Sequence, residues 1–188
     1  MHELQESRLA NLLGATALGL ADRLTQAAAE AAGASGSGAA ALVTLRTADG
    51  IGGTELARRI GLSQSACTRM LDQLTAQGYV RRAPMRGRVV AVHLTPEGVT
   101  AADAAQRARS ATVGEVLDAL APDRRDALRQ ALEPLLAALY GRVGSGDVLC
   151  RLCDRAACVA DDQVCPVGAA ARAAAQGDPG GGAGVGHG

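Results

Sequence analysis

Four cysteines lie close together near the end of the sequence, separated by two, four and six residues and followed by Pro166. A Cys-x-x-Cys turn presents two thiolates to one ion, and four thiolates in so short a segment can complete a tetrahedral shell. The spacing predicts a metal site, with zinc slightly favoured and an iron–sulfur cluster as the alternative, because both accept four thiolates. Thiols that bind nothing, or that form disulfides on oxidation, are a third interpretation. The predicted ligands are Cys150, Cys153, Cys158 and Cys165.

A different chemistry is indicated by a predicted helix over residues 63–77, which Ser63 can cap and Gly78 can end. One face of this helix is apolar at i, i+3, i+4 and i+7, which indicates burial of Cys67, Met70, Leu71 and Leu74. Another face carries Ser65, Thr68 and Arg69, which are suited to the edges of bases in a DNA groove. At the helix N-terminus, Ser63 and Gln64 lie where free backbone N–H groups attract phosphate.

The charge distribution agrees with a polyanion as the ligand of this region. The chain has no net charge and no lysine, but residues 51–93 contain seven arginines against Glu55 and Asp72, a local charge of +5. A basic segment in a neutral chain favours a local nucleic-acid site over nonspecific binding to polyanions by the whole surface. The alternative is a charged face that only contacts solvent. The arginines expected at the DNA are Arg69, Arg82, Arg86 and Arg88.

The elements around these residues follow a recognisable order. A short helix capped by Thr54 ends at Ile60, and the Gly61-Leu62 turn leads to the helix at 63–77. Period-two alternation then predicts strands at 79–83 and 88–94, with a hairpin tip between them that carries Arg86 and is followed by Arg88. Thr95 and Pro96 begin a further helix. The pattern is mainly α with a small β-hairpin wing, as in a winged helix-turn-helix; two packed helices without a ligand are the simpler alternative.

The flanking segments divide the chain into five parts. Long helices are predicted at 3–30, from 96 to about 120 and from 122 to about 142, and Pro134 should bend or split the last of these. Glycine-rich sequence predicts a disordered end. The expected parts are an N-terminal dimerisation helix and loop at 1–37, a DNA-binding domain at 38–95, C-terminal dimerisation helices at 96–145, a cysteine-rich segment at 146–170 and a disordered tail at 171–188.

Several function classes find no support in the residues. No signal-peptide pattern begins the sequence, and no stretch approaches the ~18 apolar residues of a membrane span, so a cytoplasmic protein without a membrane partner is expected. No nucleophile–base set or phosphate-binding glycine loop indicates an enzyme. Cys67 is expected to be a small buried residue.

The sequence from Thr54 to Arg82, together with HLTPEG at 93–98, resembles the MarR family of bacterial transcriptional regulators. The resemblance covers residues 5–142 and implies a homodimer that binds a pseudo-palindromic operator in double-stranded DNA. We interpret the protein as a repressor. It also implies dimerisation through the outer helices and a possible small-molecule effector, of unknown identity, between these helices and the DNA-binding domain.

The wing departs from the family pattern at one position. Arg88 matches the arginine that enters the minor groove, but Arg86 stands where the family has an aspartate. Two other functions are kept open: a redox- or metal-sensing regulator in which the cysteine cluster is the input, and a winged-helix module that binds protein.

Overall fold

The computed structural model describes residues 2–84 and 90–177, with side chains from Leu4 to Gln176. The chain divides after Leu120 into two compact units. The described helices and strands are α1 (His2–Ala32), α2 (Gly36–Thr47), α3 (Gly53–Ile60), α4 (Gln64–Ala76), β1 (Val80–Pro84), β2 (Val90–Leu94), α5 (Pro96–Asp118), α6 (Pro122–Val143), α7 (Gly146–Leu149), α8 (Arg155–Cys158), a 3₁₀ turn (Ala160–Asp162) and α9 (Pro166–Gly177). The predicted class, mainly α with one β-hairpin, is confirmed.

The first unit is built around α2, which packs against α1, α3, α4, β2 and α5. Its contact surfaces with the neighbouring helices are rich in alanine, and small side chains allow helix backbones to approach closely. Two ion pairs join these helices at the surface, Arg46 to Asp103 at 3.0 Å and Arg23 to Glu115 at 3.9 Å. The buried side chains of this core include Ala28, Ala32, Ala39, Ala41, Leu42, Leu45, Leu56, Leu74, Val92, Ala101, Ala102 and Ala105.

The helix-turn-helix has the predicted order, but its first helix begins differently. Thr54 is not the cap, because α3 begins at Gly53 and Gly52 is the extended residue before it. Gly61 adopts a left-handed φ of 74°, which ends α3 and lets the chain turn into α4. Ser63 caps α4 as predicted, since its Oγ accepts a hydrogen bond from the Ala66 N–H at 3.3 Å.

The wing is an antiparallel pair in which Val80 lies opposite Leu94 and Arg82 lies opposite Val92. Both Ala91 and Val92 are buried although they point to opposite faces, because Ala91 also pairs with Gly52 on the other side of β2. Val90, at the start of the strand, is exposed. The hairpin tip at 85–89, with Arg86 and Arg88, lies outside the described residues.

Hydrogen bonds from the junction between β2 and α5 hold the residues that follow α4, which we call the recognition helix. Thr95 Oγ1 donates to the Gly78 carbonyl at 2.6 Å and accepts from the Gly98 N–H at 3.0 Å. The Thr95 N–H donates to the Tyr79 carbonyl at 3.0 Å. Gly98 lies so close that a Cβ built on it would be 1.9 Å from the Tyr79 oxygen. These contacts account for the threonine and the glycine of the LTPEG sequence.

In the second unit, α6 contacts α7 and α9. Pro134 lies within α6 but does not split it, since one missing N–H leaves the turns on either side with their own hydrogen bonds. Tyr140 is half-buried in α6 and approaches Gly146. Residues 171–177, predicted as disordered, are helical because the alanine-rich run before the glycines has high helix propensity. None of the described helices is long and apolar enough to span a membrane.

Candidate nucleic-acid interface

The recognition helix α4 separates a buried face from an exposed polar face. Cys67, Met70, Leu71 and Leu74 are buried as predicted. Cys67 Sγ donates to the Gly53 carbonyl at 3.5 Å, and burial raises the pKa of this thiol, so it remains protonated and inert. The outward side chains are all exposed and belong to Ser63, Gln64, Ser65, Thr68 and Arg69.

The polar groups on the exposed face differ in how far they are already engaged. Thr68 Oγ1 donates to the Gln64 carbonyl of its own helix at 3.0 Å, and the Ser63 and Ser65 hydroxyls lie 3.3 Å apart. Arg69 has no hydrogen-bonding or ion-pair partner among the residues that the structure describes. Its guanidinium can therefore form bidentate bonds with a ligand without breaking a bond in the protein.

Arg82 is held by the recognition helix. Its Nη2 lies 2.7 Å from Asp72 Oδ1, which joins β1 of the wing to the outer face of α4. The pair is only partly exposed at Arg82, where 37% of the side-chain surface is accessible. The bond fixes the start of the wing relative to the helix and neutralises one of the predicted DNA-binding arginines.

The local positive charge is also reduced within α3. Glu55 accepts hydrogen bonds from Arg58 at 2.7 and 2.8 Å and from Arg59 at 2.8 Å. These two guanidinium groups lower the pKa of Glu55 to about 2, so its charge persists throughout the working pH range. Of the arginines described between 51 and 93, three are paired with carboxylates, and Arg69 and Arg81 have no salt bridge.

The base of the wing contains a carboxylate–histidine pair that we did not predict from the sequence. His93 Nδ1 lies 2.7 Å from Asp49 Oδ2, and the Leu94 N–H donates to Asp49 Oδ1 at 3.1 Å. The hydrogen bond with His93 and that from Leu94 lower the pKa of Asp49. The two residues are 44 positions apart in the chain, so spacing gave no signal; the Asp-Gly turn after α2 was the only hint.

An open cavity of about 660 Å³ lies between the end of α1 and the recognition helix. Its lining includes Glu30, Ser35, Met70, Gln73 and Gln77. Gln77 Nε2 donates to the Gly33 carbonyl at 3.0 Å across one side of it. The cavity connects the α1–α2 loop to the inner edge of α4, so a molecule bound there would contact both.

The four cysteines of the second unit are free thiols that interact with one another. A hydrogen bond with Cys153 lowers the pKa of Cys150. Burial, and then the neighbouring thiols Cys153 and Cys165, raise the pKa of Cys158 to about 11. Within residues 2–84 and 90–177, however, no group of three or more His, Cys, Asp or Glu side chains is arranged to hold a metal ion.

Comparisons with known proteins agree with this arrangement. Residues 38–85 match the MarR family. An uncharacterized HTH-type transcriptional regulator of Mycobacterium bovis, Mb0904, is 35% identical over 99 residues, which cover 52% of this chain and 69% of that protein. The MarR structure from E. coli in its apo form is 26% identical, with a TM-score of 0.58 over 68% of this chain and 96% of that one.

The YusO protein of Bacillus subtilis, at 20% identity, shares the fold with a TM-score of 0.62 over 72% of this chain and 96% of that one. The match at 38–85 begins in α2 and ends after β1, so it includes the whole helix-turn-helix. The chain belongs to the MarR family of transcriptional regulators.

Proposed function

We propose that this protein is a homodimeric repressor that binds a pseudo-palindromic operator in cytoplasmic double-stranded DNA. The observation that carries the proposal is the exposed polar face of α4, on which Arg69 is unpaired within the described structure. One recognition helix from each protomer would enter successive major grooves about one helical turn apart. Occupation of the operator would then exclude the transcription machinery.

We assign each predicted DNA-binding residue a role. Arg69 would bind a guanine edge bidentately, with Ser65 and Thr68 contacting neighbouring base edges. Ser63 and Gln64 lie at the N-terminus of α4, where backbone N–H groups favour a phosphate. Arg82, because it is bonded to Asp72, would chiefly hold the wing in place and contact phosphate from its exposed side. Arg86 and Arg88 are proposed to contact phosphate and the adjacent minor groove.

Dimerisation is supported by apolar side chains that each unit leaves in water. On α1, Leu9 and Leu18 are 60% and 70% exposed. On α6, a leucine stripe at helical spacing is formed by exposed Leu132, Leu135 and Leu139. Exposed apolar rows of this length on helices mark association surfaces more often than free surface. A second copy of the chain would cover both rows. The cavity beside α4 would bind a small-molecule effector.

The proposal is tested by selecting a duplex from a random DNA pool and measuring its affinity at several salt concentrations. Binding should weaken steeply with salt because arginine–phosphate contacts release counterions. Arg69→Ala should lower affinity for the selected site by roughly 5- to 150-fold and relax the preference at one base pair, in line with about 1–3 kcal/mol for a bidentate contact.

The matched control is Arg107→Ala, which removes an exposed arginine from α5 and should leave affinity unchanged. If Arg69→Ala and the control bind alike, the assignment of α4 as the reading helix is wrong. If the natural chain shows no salt-dependent binding to any duplex but captures a protein through the same face, the protein-binding alternative replaces the proposal.

A further inference from the structure

The segment that contains the four cysteines has almost no hydrophobic core of its own. Between residues 121 and 176, Leu152 and Val167 are the buried hydrophobic side chains, and both keep a few per cent of their surface exposed. The elements between α6 and α9 are two four-residue helices and one 3₁₀ turn. Segments this short and this thinly packed usually depend on a disulfide, a metal ion or a partner for their order.

The four thiols form one connected group. The Cys153 N–H donates to the Cys150 carbonyl at 2.8 Å, which closes the Cys-x-x-Cys turn and brings the two thiols into hydrogen-bonding contact. The Cys158 thiol makes hydrogen bonds with both Cys153 and Cys165. Cys150 also interacts electrostatically with Cys158 and Cys165. Two separate disulfide pairs would not require each thiol to lie near more than one other.

Three of the four cysteines lie at a helix boundary, and Cys153 lies in the loop before α8. Cys150 follows α7, Cys158 ends α8, and Cys165 precedes the 12-residue helix α9. The Gly168 N–H donates to Cys165 Sγ at 3.4 Å. The buried Leu152 and Val167 lie beside Cys153 and two residues after Cys165.

The geometry points to one further site: we propose that Cys150, Cys153, Cys158 and Cys165 together bind one thiophilic metal ion, zinc, which orders the C-terminal segment. Among the residues that the structure describes, the four side chains are not already arranged as a metal shell, so metal binding must move them. Binding would release the four thiol protons to solvent as four Zn–S bonds of about 2.3 Å form, drawing the sulfurs together. Arg151 and Arg155 lie in the same segment and would offset part of the negative charge of such a site. The proposal does not depend on DNA binding.

The first test uses the full-length protein, purified anaerobically and without added metal. Elemental analysis should find about one zinc per chain, as expected for a site with four thiolate ligands. Exchange with Co²⁺ should give the intense visible bands of tetrahedral cobalt–thiolate coordination. Cys158→Ser should lose the metal and these bands, because Cys158 lies between the other thiols. Cys67→Ala, which removes the fifth thiol from a separate place in the fold, should retain both.

Three results would overturn the proposal. A metal-free natural protein that gives no cobalt spectrum leaves the thiols without a ligand. Disulfides in the anaerobic sample assign them to redox pairing instead, and a coloured iron-containing sample replaces zinc with an iron–sulfur cluster. Duplex binding is measured on the same samples, so that metal-free Cys158→Ser protein that still binds DNA separates the two proposals.

Discussion

The Asp49–His93 pair shows how one side chain can fix two parts of the wing. Asp49 lies just after α2 and accepts hydrogen bonds from the His93 side chain and the Leu94 backbone of β2. The backbone adds to this connection. The Gly50 N–H donates to the Val92 carbonyl at 2.9 Å, and the Val92 N–H donates to the Ile51 carbonyl at 3.0 Å. The base of the wing is therefore anchored to the loop after α2 from two directions.

We expect Asp49→Asn to lower the stability of the protein at neutral pH by at most about 1 kcal/mol, because the carboxylate is more than half exposed. The folded-state pKa of Asp49 is lowered from 3.8, so its contribution is complete above that value and is lost as the pH falls through the folded-state pKa. Urea unfolding at neutral and acidic pH would measure this difference.

The control for this experiment is Asp123→Asn, since Asp123 is largely exposed and lies 3.8 Å from the guanidinium of Arg124, too far for a strong hydrogen bond. This change should leave stability unaffected at both pH values. A difference between Asp49→Asn and the natural protein that persists unchanged at strongly acidic pH would show that the carboxylate charge is not its cause.

At the scale of elements, the junction between β2 and α5 makes the sharpest prediction. Gly98→Ala would place a methyl group 1.9 Å from the Tyr79 carbonyl oxygen, which belongs to the backbone and cannot rotate away. We expect a loss of stability of about 1–3 kcal/mol or more, measured by chemical unfolding. Weaker DNA binding should accompany it, because Tyr79 connects α4 to the wing.

Gly114→Ala is the matched change within the same helix. A Cβ built on Gly114 meets no atom within 4 Å, so this substitution should stabilise α5 by up to about 1 kcal/mol through helix propensity alone. Opposite signs for the two changes are expected. The same sign for both would show that close contact at Gly98 does not control its identity.

Local signals were read correctly from the sequence wherever a short-range rule decides the structure. The caps at Ser63 and Thr95, the buried face of α4 and the Pro96 helix start depend on neighbours within one or two turns. Thr54 was a wrong cap because Gly53 already enters the helix, a choice that Thr54 alone does not reveal.

Long-range pairing could not be predicted in this way. The bond between Arg82 and Asp72 reduces the free positive charge of the region, but it depends on how β1 lies against α4. Ala91 is buried because Gly52, 39 positions earlier, pairs with it. The sequence therefore identified which residues face outward on α4, but not which arginines were already neutralised.

At the scale of the whole molecule, the exposed leucines of α6 predict its state of association. Leu135→Arg should raise the dimer dissociation constant at least about tenfold, since losing the burial of one leucine costs about 1.5–3 kcal/mol. Sedimentation or light scattering over a range of protein concentrations would detect the added monomer. Operator binding should weaken in parallel.

Gln130→Arg is the matched control, because it adds the same charge to α6 on the side away from the leucine stripe. It should leave the oligomeric state unchanged. Equal dissociation in both variants would indicate general repulsion by charge and would remove α6 from the proposed dimer interface.

The aromatic composition gives the two units separate optical labels. Tyr79 and Tyr140 are the only aromatic residues of the chain besides its histidines, and one lies on each side of the division after Leu120. Because the chain has no tryptophan to accept energy from the tyrosines, the fluorescence of each tyrosine can be measured directly. Replacing either with phenylalanine would leave a protein whose ultraviolet emission follows the unfolding of a single unit, with no dye attached.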